Sequence, residues 1–261
     1  MLLLAFVAPL VIITALALPS SKERLDARVA RRLGGAHVSR PRASAVSNGA
    51  DASYSTNWAG AVLNSPADTY KSVTATFKLP TPKEPHDAYG PHSASAWVGL
   101  DGDSCVNAIL QTGVDFHVDD GSIAYDAWYE WYPAASDDFS GIDLAAGDDV
   151  SVTVIAFSPT SGSATITNER TRQTVSMNIM SDAALCGQDA EWIVEDYEVE
   201  YGLAPFADFG QVVFTGATAQ TNNGIVGPEN ANILILVQDD GQVLTEVETS
   251  DDSVTVTYVG H

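Results

Sequence analysis

Four short stretches place carboxylates, an amide and indoles at every second position. In AEWIVEDYEVEYG (190–202) an extended chain turns Glu191, Ile193, Glu195, Tyr197 and Val199 to one side and Trp192, Val194, Asp196, Glu198 and Glu200 to the other. A glutamate therefore sits in the middle of a run whose other residues favour a strand. YDAWYEWYP (125–133) groups Asp126, Trp128, Glu130 and Tyr132 on one face, and ILQTGVDF (109–116) groups Ile109, Gln111, Gly113 and Asp115. SAWVGLDG (95–102) does the same for Trp97, Gly99 and Asp101. Acids alternating with aromatics can floor a cleft for an extended, partly apolar substrate, and carboxylates held there can act as general acid or base. Taken singly, each such residue is more often a core aromatic or a structural polar group. Their accumulation on several strands points to a site.

Other chemistries find less support. No HExxH helix, GxSxG elbow, Asp-Thr-Gly or Asp-Ser-Gly occurs. Beyond residue 50 the histidines are His86, His92, His117 and His261, without close metal-ligand spacing, and they read as loop residues. Neither a metal nor another cofactor is expected. The two cysteines, Cys105 and Cys186, are expected to pair in an oxidising compartment, with two buried free thiols as the alternative. Carboxylate chemistry remains.

The elements that must position these groups are strands. From Asp51 onward there is almost no helical period, while β-rich runs recur at 69–79, 94–100, 106–116, 124–132, 149–157, 162–168, 173–179, 191–199, 210–215, 232–238, 242–248 and 253–259. Such a count without helices predicts two packed antiparallel sheets or a barrel. Asp240-Gly241 reads as a tight hairpin turn, and 81–93 and 133–148 read as long loops.

Charge divides the chain. Seven of the 12 Lys and Arg precede residue 50, so residues 51–261 hold 5 basic and 32 acidic residues, a formal net charge of −27. Such a surface repels nucleic acid and anionic membranes. Leu2 to Leu18 is apolar and contains Ala15-Leu16-Ala17, a small-x-small cleavage pattern, which predicts a signal peptide over 1–17 and a secreted protein with no membrane attachment after cleavage. Residues 18–50, with SKERLDARVARRL, read as a basic propeptide with an uncertain end, and 51–261 as the acidic domain.

STNWAGAVL (55–63), SAWVGLDG, CVNAILQTGVDF, YDAWYEWYP followed by SDDFSGI, and AEWIVEDYE together resemble the glutamic peptidases, or eqolisins. The resemblance implies a two-sheet antiparallel β-sandwich of the concanavalin-like, jelly-roll type, and peptide-bond hydrolysis in acid. It places the catalytic glutamine on Gln111 and the catalytic glutamate on Glu195. Substrate contacts fall on Asn57, Trp58, Trp97, Asp101, Asp126, Trp128, Glu130 and Tyr132, and the disulfide on Cys105 and Cys186. Partners would be polypeptide substrates and the chain's own basic propeptide as inhibitor, with the enzyme a monomer. Glu191, Asp196 and Glu198 read as solvated or structural carboxylates, with modulation of Glu195 as the alternative. Two rival readings share the acids and aromatics: a β-sandwich glycoside hydrolase using Glu130 and Glu195, and a lectin-like carbohydrate-binding module. Neither requires Gln111.

Overall fold

The computed structural model describes residues 52–86, 88–199, 202–238 and 241–260. The expected signal peptide and propeptide lie outside the described residues. Among those described there is no α-helix, only a single 3-10 turn at Pro228–Asn230, and no helix long and apolar enough to cross a membrane. Two eight-stranded sheets pack face to face, as the β-rich runs predict.

The first sheet runs in the order Ala52–Ser55, Asn232–Leu236, Trp58–Asn64, Asp189–Glu195, His92–Leu100, Ile109–Asp119, Ser122–Tyr132 and Asp137–Asp138. Its pairings are antiparallel except that of Ala52–Ser55 with Asn232–Leu236. The second sheet is built on Gln173–Met180, Ser161–Asn168, Asp149–Ser158, Tyr70–Lys78, Gln211–Thr221, Ser253–Tyr258 and Thr245–Thr249, with Gly224–Val226 paired to Gln211–Thr221.

The two sheets differ in how their faces are used. Val73, Ala75 and Phe77 of the second sheet turn inward, while hydroxyl pairs such as Thr74 with Thr153 and Thr76 with Ser151 ladder its outer face. The first sheet sends Ala59, Ala61, Ala96, Val98, Leu110, Val114, Trp192 and Val194 into the same core. Its other face is not a wet one. Trp58, Val62, Trp97, Ile109, Trp128, Ile193 and Leu234 form a second buried apolar cluster there. A sheet with both faces buried has no simple alternation to display, and His92–Leu100 is buried at every position.

Two Asp-Gly pairs mark chain reversals. Asp120-Gly121, both at positive φ (47° and 74°), makes the two-residue turn joining Ile109–Asp119 to Ser122–Tyr132. Around Gly241 the chain also turns back on itself: Gly241 N donates to Gln238 O, Gln238 N to Gln242 O and Leu244 N to Leu236 O, each at 2.9 Å, about an antiparallel bridge between Val237 and Val243, before Asn232–Leu236 joins the first sheet and Thr245–Thr249 the second. Asp240 lies outside the described residues.

Candidate active site

The outer face of the first sheet is ruled by strand register into three rows. Trp58, Glu195, Ser95, Asp115 and Asp126 lie side by side across five strands. The next row is Gly60, Ile193, Trp97, Gly113 and Trp128. The third is Val62, Glu191, Gly99, Gln111 and Glu130. Glu195 and Gln111 thus share a face, on strands separated by His92–Leu100, with the indole row between them.

Trp97 spans the rows. A Cβ on Gly113 would come within 2.4 Å of Trp97 Cβ, and one on Gly99 within 2.8 Å of Trp97 Cζ3, so two glycines leave the indole room to lie flat on the sheet. At its other end Trp97 Nε1 donates to Glu195 Oε2 at 2.8 Å. Trp58 closes edge-on against it, ring centroids 4.9 Å apart. Gln111 Nε2 donates to Glu130 Oε2 at 3.0 Å, and Gln111 Oε1 is buried with no partner among the described residues. Trp128 Nε1 donates to Ser95 Oγ, which donates to Asp115 Oδ1 at 2.6 Å. A glutamate, an amide and their orienting groups are held on a rigid floor, the arrangement needed to move a proton and to stabilise an oxyanion.

Most residues expected at the site meet on this face. Glu195, Gln111, Trp58, Trp97, Trp128 and Glu130 are buried there, and half-buried Tyr132 packs against the apolar cluster. Asn57 precedes Trp58 and accepts the Asp196 backbone N–H on its carbonyl at 2.8 Å. Asp126 ends its row and pairs with His117 Nε2 at 3.3 Å. Asp101 stands elsewhere. The strand ends at Leu100, Asp101 takes a positive φ of 65°, and its carboxylate accepts the backbone N–H groups of Cys186, Gly187, Gln188 and Asp189 at 2.7–3.1 Å. Its position is that of a loop anchor beneath the Cys105–Cys186 disulfide, because alternation along SAWVGLDG stops one residue before it.

Sequence patterns understated other groups. Glu191, read as a solvated or structural acid, is fully buried, and burial, reinforced by the Asp189, Asp103 and Asp101 carboxylates, raises its pKa well above the usual range. Asp196 is also raised well above it, by burial first and then by Glu195. His92 and His117 lie on strands, not loops; His117 joins Ser93 Oγ through Nδ1 at 2.8 Å. The Ile109–Asp119 strand runs past Phe116, so His117 stays in phase with Asp115 and Gly113, a continuation of alternation that could have been followed.

A profile of the peptidase A4 family matches residues 56–258. The chain belongs to the peptidase A4 family, the eqolisins. Aspergillopepsin-2 of Aspergillus niger is 44% identical over 94% of this chain and 95% of its own. Scytalidopepsin B of Scytalidium lignicola is 38% identical over 81% of each. Among solved structures, scytalido-glutamic peptidase with a transition state analog inhibitor matches at a TM-score of 0.70 and 39% identity, covering 78% of this chain and 98% of that one. Aspergilloglutamic peptidase from Aspergillus niger matches at a TM-score of 0.62 and 54% identity, covering 64% and 99%. This eqolisin is accordingly a hydrolase of the glutamic peptidase family, with the β-sandwich its relatives share.

Proposed function

We propose that this eqolisin is a secreted, monomeric acid endopeptidase using Glu195 as general base and Gln111 as oxyanion donor. The observation that carries the reading is the fixed orientation of both side chains on one buried face, Glu195 through Trp97 Nε1 and Gln111 through Glu130. With Oε2 held by the indole, Glu195 takes a proton through Oε1 from a water attacking the scissile carbonyl, then returns it to the leaving amine. The amide of Gln111 carries two N–H groups. One engages Glu130, and the second is directed to the oxygen that becomes negative in the tetrahedral intermediate. An amide does not titrate, so this donor persists in acid. Trp58, Trp128 and Tyr132 supply apolar surface for an extended polypeptide, with Asn57 and Asp126 at its margins.

The engagement of Glu130 by Gln111 also argues against Glu130 and Glu195 acting as a glycosidase pair. Residues 18–50 act in this reading as a basic propeptide that is attracted to the acidic domain near neutrality and released as carboxylates protonate. Incubation of the purified enzyme with a denatured protein and with a panel of oligosaccharides across pH 2–8 is the test. Cleavage of protein confined to acid is expected; cleavage or tight binding of glycans without proteolysis would reverse the assignment.

A further inference from the structure

The Ser122–Tyr132 strand forms the side of the first sheet, and its outer edge is only partly covered. Asp137–Asp138 pairs with Trp128 and Tyr129, and Phe139 N donates to Ala127 O at 2.9 Å. In an antiparallel strand the residues that bond one neighbour alternate with those that face the other. Ala127 faces outward, so Ile123 and Tyr125 share that phase, and no strand among the described residues pairs with them there. Opposite this edge the chain from Phe139 to Ala146 forms a wall, leaving a groove of about 880 Å³. The wall is braced from behind: Asn168 Nδ2 donates to Asp143 O at 2.7 Å, Gln173 Nε2 to Asp143 Oδ2 at 3.0 Å, and the Asp143 N–H to Gln173 Oε1 at 2.9 Å. Phe139 packs against Tyr129 with the rings tilted by 50° and their centroids 4.7 Å apart.

We propose that this groove is an auxiliary site that binds an extended segment of the polypeptide substrate by strand addition to Ile123–Tyr125. The inference rests on the peptidase reading above. Three features select this occupant. The outward N–H and C=O groups are what an extended backbone pairs with. Ile123, Ile142 and Leu144 give the groove apolar contact, while its charged lining groups are Asp126, Asp138 and Asp143 with no Lys or Arg, which favours neutral or basic segments. Finally, Asp126 lines the groove and also closes the Glu195 row on the catalytic face, so a substrate chain leaving that face at this end meets the groove without a turn. Long substrates would use both sites; a peptide of a few residues would use only the cleft.

Proline can stand on an edge strand where its missing N–H would face outward. Ile123→Pro therefore removes a docking donor and leaves the bonds to Ile109–Asp119, and Ala146→Trp fills the groove from the wall. Each variant should lower kcat/KM on a denatured protein by about 10-fold through KM, the loss expected for one or two backbone hydrogen bonds with their contacts, and leave a short peptide unaffected. Equal losses on both substrates, or no loss on either, would overturn the proposal. Hydrogen exchange gives a readout independent of turnover. In the Glu195→Gln variant, a basic, apolar 12-residue peptide should slow exchange at the Ile123 and Tyr125 amides. Exchange unchanged by the peptide would overturn the proposal. So would protection that rises with protein concentration alone, because it would assign the edge to a second copy of the chain. If the short peptide is not cleaved by the wild type, or is cleaved as fast by Glu195→Gln, the dyad has failed rather than the groove, and the exchange result still decides the latter.

Discussion

At the residue scale the site combines a group that titrates with one that does not. In the proposed mechanism Gln111→Ala removes the donor to the developing oxyanion, and it should lower kcat by about 10²–10³-fold with little change in thermal midpoint. Glu130→Gln should do less, since an amide oxygen can still accept from Gln111 Nε2 while orienting it more weakly. Kinetics on one peptide across both variants checks the order, and Glu130→Gln falling further than Gln111→Ala would count against the assignment. Asp101 calls for the opposite pattern. Its four backbone donors make Asp101→Asn a stability variant, destabilised by about 2–4 kcal/mol with kcat/KM of the folded enzyme retained. A normal melting curve with raised KM would return Asp101 to the substrate site. The difference between Asp101 and Glu130 was not legible from alternation alone. A strand's phase carries a prediction only as far as the strand, and a positive φ at Asp101 ends it.

At the scale of elements, most of the sandwich was written in the β-rich runs, and its ends were recovered to within a few residues for strands such as Tyr70–Lys78 and Gln173–Met180. The Trp58–Asn64 strand is absent from the β-rich runs, because Ala and Gly contribute little to a β pattern. Those small residues are what the packing requires. A Cβ on Gly60 would fall 2.0 Å from Trp192 O, and one on Gly113 2.2 Å from Ala96 O. Gly113→Ala should therefore displace Trp97 and with it the Glu195 carboxylate, costing about 1–3 kcal/mol in stability and at least about 10-fold in kcat. Thermal unfolding together with kinetics tests this; a silent variant would mean that the indole is not fixed by close strand approach. The Cys105–Cys186 bond closes 81 residues around the Asp101 anchor, linking the segments ahead of the Ile109–Asp119 and Asp189–Glu195 strands. Its removal should cost about 2–5 kcal/mol of stability before it affects chemistry.

Across the whole molecule, acidity is distributed for work in acid. Burial is the first cause of raised pKa values at Asp101, Asp103, Glu191 and Asp196. A carboxyl with a folded pKa above its unfolded value binds more protons in the native state, so its contribution is fully present below the unfolded pKa and is lost as pH rises through the folded one. Asp148 acts in the other sense, held low by Arg170, and its contribution is lost as pH falls. Since the raised groups are the more numerous and residues 51–261 carry −27, a Glu195→Gln protein without residues 1–50 should melt higher at pH 4 than at pH 7. Glu191→Gln, which keeps the neutral shape, should narrow that gap. A midpoint equal or higher at pH 7 in the parent would contradict this reading. The same distribution leaves Glu195 as the acid held by an indole N–H on the face shared with Gln111, and proteolysis by that pair is the central claim. The direct measurement is kcat/KM of folded Glu195→Gln against wild type on one short peptide at the acid optimum. A fall of about 10³-fold or more is expected for loss of the general base, whereas activity within a few fold of wild type would contradict the account.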